Sequence, residues 1–564
     1  MAHLNEKQKT AVNEYGNVFV SAPPGSGKTR TLIARAEKKL ENYDKPVALI
    51  TYTNAAADEM RNRIDSEKKI FVGTIHKFCL EYILRPFGWL YDWENLKVIS
   101  FDDKKEIKEE IKKRFGSKIQ YRFFNNVRKK LNGEIDLSNI DYSFEIADFY
   151  FDYLRKNELV DFNEILYRAY KILDDNQFIR TSLASKFTEI LVDEFQDINY
   201  IQYEIIKLLD KDKLCSFFMV GDFRQSIMRF AGAIDLEFEV IERDFNCRII
   251  QLNKTYRSTD NIVDSYVSLF NNHPKIDNRA EVKDVKIKVN IKSCNGSYKC
   301  RGCSDSCKNN VNIIEDILNF LLEEGIEESE IAILSPWRND AKKIGDKLAG
   351  KFNIVGPHVL PHSVKGIKST SVFQLIKSLS KYFVKSSVNN LRNIKTAIEN
   401  YLLENNISVM QEKINLLTKN LLITLFENEN VKIIKAFKNI EFEFNRHFGV
   451  DQHEFDEIIN KIRLNRKEGL IFSEYLNMLS GIDGIFNQTI YAAKGLEFDA
   501  VILNRIDEGR IPYSSTPSEE DIDNGRKLFY VGLSRAKRYL AVIHADDESR
   551  FISELRNFQQ GILE

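Results

Sequence analysis

The run NVFVSA (17–22) passes through PPGSGKT into an amphipathic helix. A glycine-rich turn of this kind confines the chain to α/β architectures. Its backbone N–H groups converge on one point only where a strand delivers the loop and a helix N-terminus receives it. Gly25, Gly27, Lys28 and Thr29 match the end of the GxxxxGK[ST] phosphate loop, with Ala22 standing for the first glycine and Pro23 and Pro24 stiffening the turn. The loop Ala22, Pro23, Pro24, Gly25, Ser26, Gly27 would wrap a triphosphate. Lys28 would reach its β- and γ-phosphates, and the Thr29 hydroxyl would ligate Mg2+. A second string, LVDEFQD (191–197), is an apolar strand ending in two adjacent carboxylates. Asp193 is placed to hold the Mg2+ shell and Glu194 to orient and deprotonate a water. The two strings together imply hydrolysis of a nucleoside triphosphate.

Further short apolar runs, PVALITYT (46–53), EILVDEF and SFFMVGD (216–222), are separated by helical stretches, one beginning at Ala55. That alternation predicts a parallel sheet covered on both faces. From Phe87 to about Lys186 the pattern is helical and charged. Strand signals return at CRIIQL (247–252), VKIKVNI (285–291), IAILS (331–335), DAVIL (499–503) and YLAVIH (539–544), with a second helix-rich stretch between Val372 and Asp483. The expectation is two α/β cores, each interrupted by a helical insert, which agrees with the four units that ~150 residues per domain gives for 564 residues. Lys and Arg number 82 against 83 Asp and Glu, so any surface for a polyanion must be local. The N-terminal MAHLNEKQKT carries no apolar leader, and no run reaches the ~18 apolar residues of a membrane span. Scattered Cys79, Cys215 and Cys247 do not form a secreted disulfide framework, and the expected compartment is cytoplasmic.

In order along the chain, LNEKQKTAV (4–12), TYTNAAADEMRNRI (51–64), GTIHKFC (73–79), LVDEFQDINYIQY (191–203), VGDFRQSI (220–227), LNKTYRST (252–259), TIYAAKGLEFDAVIL (489–503) and KLFYVGLSRAK (527–537) resemble the successive motifs of the UvrD/Rep/PcrA-like superfamily 1A DNA helicases. The resemblance implies two RecA-like P-loop NTPase cores. The first core would comprise 1–86 and 187–258, with insert 87–186. The second would comprise 259–372 and 484–564, with insert 373–483. It also implies roles for single residues. Gln8 would read the adenine, Arg30 and Tyr256 would sandwich it, and Glu497 would bind the ribose. Gln225 would sense the γ-phosphate, while Arg257 and Arg535 would neutralise charge on it in the transition state. Tyr52, Thr53, Asn54, Thr74, His76 and Phe230 would line the path of single-stranded DNA, stacking bases and contacting the strand. Movement would run 3′ to 5′ on single-stranded or tailed duplex DNA, driven by ATP with Mg2+.

The chain departs from the family where QSIYGWRGA is usual and QSIMRFAGA (225–233) stands here. Met228 replaces a stacking tyrosine and Ala231 an arginine that contacts the strand. Arg224 and Arg229 carry positive charge at other positions, and Tyr491 stands for a histidine. These changes spare the ATP site and touch the coupling region, which leaves weak or conditional unwinding as an expectation. The compact size and this altered motif also resemble short UvrD-like proteins that accompany nucleases in bacterial defence systems, such as the helicase-like subunit of Gabija. On that second reading the chain is a DNA- or nucleotide-sensing ATPase regulating a partner nuclease.

Two local features stand apart. KKRFGSKIQYRFFNNVRKK (112–130) holds eight Lys and Arg, no acid, and Phe115, Tyr121, Phe123 and Phe124. It reads equally as a grip on nucleic acid and as an amphipathic segment with core aromatics. Cys294, Cys300, Cys303 and Cys307 form a C-x5-C-x2-C-x3-C array suited to Zn2+ or, less well, to an iron–sulfur cluster. The same spacing also suits reduced cysteines or local disulfides.

Overall fold

The computed structural model describes residues 4–64, 69–91, 93, 96–137, 142–228, 232–234, 236–271, 273, 275–280, 290–293, 306–356, 371–384, 386–404, 411–448, 455–456, 459–460, 471–473, 475–476, 484–514, 516–544 and 547–563. The chain forms two compact units. One is assembled from 1–96, 120–313 and 490–564, the other from 97–119 and 314–489.

In the first unit a six-stranded, all-parallel sheet carries the phosphate loop. Its strands are β1 (Val18–Ser21), β2 (Val47–Thr51), β3 (Ile70–Thr74), β4 (Glu189–Val192), β5 (Ser216–Gly221) and β6 (Arg248–Gln251), in the spatial order β6-β1-β5-β4-β2-β3. Val18, Phe19 and Val20 of β1, Ile190 and Leu191 of β4, and Phe217, Phe218 and Met219 of β5 are wholly buried, as central strands covered on both faces require. Helices α1 (Glu6–Asn13), α2 (Lys28–Asn42), α3 (Asn54–Arg63) and α4 (Ile75–Cys79) intervene between or precede these strands. Because β1, β4 and β5 are neighbours, the segments that leave their C-terminal ends converge: the phosphate loop, Asp193–Glu194, and Gly221–Gln225. Ligands of open α/β sheets bind at this edge.

A buried ion pair locks α2 onto the sheet. Arg35 donates to Glu189 through Nε (2.8 Å) and Nη2 (2.6 Å), and its Nη1 donates to the Val12 carbonyl at 2.9 Å. Both side chains are almost wholly inaccessible. Glu189→Gln removes the charge that neutralises a buried guanidinium, and we expect it to cost about 3–5 kcal/mol of stability. The midpoint and slope of urea unfolding check this; a loss below 1 kcal/mol would contradict it.

Three further parallel strands lie in the first unit: β7 (Asn290–Ser293) pairs with β12 (Ala536–His544), which pairs with β11 (Phe498–Asn504). The second unit holds β8 (Ile331–Ser335), β9 (Ile354–Val355) and β10 (Ile485–Thr489), with β10 parallel to both others. Its helices Ser371–Val384, Val388–Glu404, Gln411–Glu427 and Ile433–Phe448 enclose an apolar core that includes Leu375, Leu379, Ile398, Leu417, Leu421 and Phe437. The protein is an α/β fold of two RecA-like cores with helical inserts. Among the described residues no helix is long and apolar enough to cross a membrane.

The strand signals at 247–252, 331–335, 499–503 and 539–544 fall on β6, β8, β11 and β12. Strands β3, β9 and β10 were not legible, and most of VKIKVNI lies outside the described residues. Within 112–130 the rings of Phe123 and Phe124 are buried and pack edge-on against Tyr150, with centroids 5.4 and 5.7 Å away. Those two aromatics are core, whereas Tyr121 is 39% exposed and is left, with the cations of the run, at the surface.

Candidate nucleotide and nucleic-acid site

The phosphate loop has the backbone its glycines predict. Gly25 and Gly27 adopt φ of +72° and +82°, a region L side chains rarely enter. A Cβ on Gly25 would lie 2.5 Å from both Thr255 Oγ1 and Arg257 Cβ, so the segment 254–257 packs directly on the loop. Thr255 Oγ1 donates to the Pro24 carbonyl and the Tyr256 N–H to that of Gly25, each at 2.9 Å. Ser26 Oγ donates to the Pro23 carbonyl at 2.7 Å, and the Ala22 N–H to that of Gly221 at 3.0 Å.

Gln8 is buried beneath this loop. Its Nε2 donates to the Ser26 carbonyl (2.8 Å) and its Oε1 accepts the Asn5 N–H (2.9 Å), closing a capping box on α1. Asn5 Nδ2 donates to the Tyr256 hydroxyl at 2.9 Å, so Tyr256, half-exposed, is tied to the same N-terminal turn. Arg30 is exposed on the first turn of α2, with its Cβ near Gly27.

The two carboxylates after β4 are driven apart electrostatically. Glu194 takes a left-handed φ of +50°, which turns its side chain toward Lys28; Nζ lies 3.4 Å from Oε1. Gln196 Nε2 donates to the other oxygen. Burial alone would raise the Glu194 pKa, but the positive charges of Lys28, Lys494 and Arg535 and the Gln196 hydrogen bond outweigh it and hold the group down at about 2. Asp193 is pushed the other way, to about 7, by burial and then by the neighbouring Glu194 charge. Its buried Oδ1 has no hydrogen-bond partner. An orphaned carboxylate oxygen, with the Thr29 hydroxyl at the second position of α2, is a hard oxygen donor set that suits Mg2+. A divalent cation there would keep Asp193 ionised.

A hydrogen-bonded network extends from this pair. Gln196 Oε1 accepts the Asp222 N–H at 3.1 Å. Asp222 in turn accepts from Gln225 Nε2 (2.9 Å), Arg224 Nε (2.8 Å) and the Tyr530 hydroxyl (3.2 Å). Arg535, buried on the segment after Glu519–Leu533, donates through Nη2 to Gln225 Oε1 at 3.2 Å and through Nη1 to the Leu496 carbonyl at 3.0 Å. Burial, with Arg257 nearby, lowers the Arg535 pKa to about 9, which leaves it charged at neutral pH. Arg257 Nη1 donates to the Ser534 carbonyl at 3.1 Å, and its Nη2 pairs with Glu497 at 2.7 Å. Glu497, the expected ribose ligand, is thus engaged with the first arginine. Lys494 Nζ reaches Asp197 at 2.6 Å and the Gln225 carbonyl at 2.7 Å. Asp222, Tyr530 and Lys494 were not singled out from the sequence, although each lies inside a motif that was.

Of the residues expected on the strand path, Tyr52, Thr53 and Asn54 follow β2, and Thr74 and His76 end or follow β3, at the C-terminal edge where Thr51 is paired with Thr74. Thr53 and Thr74 cap α3 and α4, accepting the N–H groups of Ala56 (3.2 Å) and Lys77 (3.3 Å). Tyr52 is largely buried, and burial with the Asp197 charge raises its phenol. Asn54 opens α3; its side chain, and all of Phe230, Arg229 and Ala231, lie outside the described residues. His76 meets Phe162 edge-on, centroids 5.3 Å apart, and burial pushes its imidazole down to about 4, so it is neutral. Phe162 keeps a 55% exposed ring, an aromatic the sequence reading passed over because it reads as one more apolar position of an amphipathic helix. Arg224 pairs with Asp222 at 2.8 Å, and its side chain is 15% exposed. Cys294, Cys300 and Cys303 and the side chain of Cys307 also lie outside the described residues; among the described ones no cluster of three or more His, Cys, Asp or Glu is placed to hold a metal ion.

A parallel sheet with a phosphate loop on one strand and an acidic pair on its near neighbour defines a P-loop NTPase. Residues 4–246 match the family model of the UvrD/REP helicase N-terminal domain and residues 374–547 that of the UvrD-like helicase C-terminal domain. The chain is similar to the ATP-dependent DNA helicase Rep of Buchnera aphidicola subsp. Baizongia pistaciae, 27% identical across 96% of this chain and 91% of that one. It is similar also to the ATP-dependent DNA helicase PcrA of Bacillus subtilis, 26% identical across 98% and 86%. A probable DNA helicase II homolog of Mycoplasma genitalium is 26% identical across 98% and 87%. The chain belongs to the UvrD/Rep/PcrA-like superfamily 1A helicases.

Proposed function

We propose that the protein is an ATP-dependent DNA helicase that translocates 3′ to 5′ on single-stranded DNA. The observation that carries this is the continuous network from Lys28 and Glu194 through Gln196, Asp222 and Gln225 to Arg535. Lys28 leaves Glu194 to bind the β- and γ-phosphates, and Gly25 and Gly27 let the backbone approach them. Glu194, freed and ionised, orients the attacking water and takes its proton. Arg257 and Arg535 neutralise charge developing on the γ-phosphate. Thr29 and Asp193 would hold Mg2+, which would supply charge neutralisation at the phosphates. Gln225, bonded to both Arg535 and Asp222, carries the state of the γ-phosphate toward the strand path. Domain roles follow the boundaries expected above: two cores that close on ATP and two helical inserts.

Phe162 is the base-stacking platform on this path. Phe162→Ala is expected to weaken binding of a fluorescent oligo-dT by about 1–3 kcal/mol, the worth of one stacked base, with DNA-free ATP hydrolysis unchanged. Unaltered affinity would remove Phe162 from the path.

The test of the function is phosphate release by the purified protein with and without single-stranded DNA, beside Glu194→Gln. Stimulation lost in the variant supports the motor, and displacement of strands from 3′- and 5′-tailed duplexes assigns polarity. Met228 and Ala231 favour a second reading, an ATPase subunit that regulates a partner nuclease. ATP hydrolysis without strand displacement on either tail would select it.

A further inference from the structure

We propose that Arg128, from the first helical insert, supplies the strand-phosphate contact that Ala231 removes from QSIMRFAGA; this rests on the single-stranded DNA reading above. Arg128 opens a small antiparallel hairpin in which it is paired with Asp136. Its Nε donates to Asp136 Oδ2 at 2.9 Å, and its side chain is 30% exposed. The hairpin is anchored from behind, because Asn163 Nδ2 donates to the Val127 carbonyl at 2.9 Å and to that of Asn125 at 3.2 Å.

Its placement is what distinguishes Arg128 from the other cations of the run. A Cβ on Gly232, next in sequence to Ala231, would lie 2.7 Å from Arg128 Nη1. The guanidinium is therefore laid against the backbone that follows the missing arginine. Gly232 holds a φ of +91°, so no ordinary side chain occupies that space. The anchor Asn163 adjoins Phe162, which touches His76, so Arg128 continues the line of expected strand contacts. Lys129 cannot serve, being engaged with Glu164 at 3.0 Å and over the Phe151 ring at 4.5 Å. Lys130 is exposed and faces Glu134 at 3.5 Å. Among the described residues Asp136 alone accepts from this guanidinium, and the geometry of its other N–H groups suits phosphate oxygens.

The experiment measures oligo-dT affinity across a salt series for the full chain, Arg128→Ala, Arg128→Lys and Arg128→Ala combined with Ala231→Arg. Loss of one phosphate contact should lower the slope of log affinity against log salt by about 0.7 in Arg128→Ala. Arg128→Lys should keep the slope, and Ala231→Arg should restore it. ATP hydrolysis without DNA and the unfolding midpoint should stay at the parental values. An unchanged slope in a folded Arg128→Ala that still binds oligo-dT overturns the proposal and leaves the motor reading standing. If the parental chain neither binds oligo-dT nor is stimulated by it, the reading beneath the proposal fails instead.

Discussion

Glu194→Gln is expected to lower ATP turnover on single-stranded DNA by about 100- to 10,000-fold, the usual worth of a general base. Three cations and one amide N–H hold this carboxylate ionised inside a buried site. The amide keeps the size of the side chain but has no lone-pair charge with which to take a proton. Lys28 is 3.4 Å from the carboxylate, and losing that partner frees the ammonium for phosphates. Nucleotide affinity is accordingly expected to hold or rise while turnover falls, a split that misfolding would not produce. Steady-state phosphate release and equilibrium titration with a fluorescent ATP analogue check both halves. Turnover within tenfold of the parent would remove Glu194 from the role of base.

The second large effect is expected at Arg535. Arg535→Ala should lower turnover by about 1,000- to 100,000-fold, the range known for arginines that stabilise a phosphoryl transition state. Arg535→Lys should recover only part of it. The guanidinium spreads its donors over Gln225, Leu496, Val531 and Ser534. A single ammonium cannot meet those acceptors and a phosphate together. Removing Arg535 also leaves Gln225 Oε1 without its donor, so stimulation by DNA should be lost along with the basal rate. Near-parental stimulation in a folded Arg535→Ala would break the proposed link from γ-phosphate to strand. Oligo-dT binding without nucleotide is the control and is expected to stay at the parental value.

What the sequence disclosed follows a physical division. Strands β1, β4 and β5 were legible because central parallel strands are continuous apolar runs, wholly buried on both faces. Strand β3, IFVGT, was not: its short apolar stretch runs straight into the helix IHKFC, and periodicity cannot divide the two. The phosphate loop and the acidic pair were legible because their chemistry lies within a few consecutive residues. The bond from Lys494 to Asp197 joins positions 297 apart. No local pattern encodes such a pairing, which the fold alone creates. Gln196 stands out inside DEFQD as a mark of an NTPase that acts on nucleic acid, but its partners are not legible there. The double engagement of its amide, with Glu194 and with the Asp222 N–H, depends on β4 and β5 being neighbours.

The unit that carries the nucleotide site draws on three distant stretches, the last beginning at Ile490. Lys28 leaves the ribosome early and Arg535 about 500 residues later, a delay of roughly 25–100 s at typical synthesis rates of ~5–20 residues per second. Through that interval the nascent chain exposes a phosphate loop without its arginine, and Asp197 and Gln225 await Lys494. The cluster of Lys28, Glu194, Gln225, Lys494 and Arg535 can therefore assemble only after the last stretch has been made.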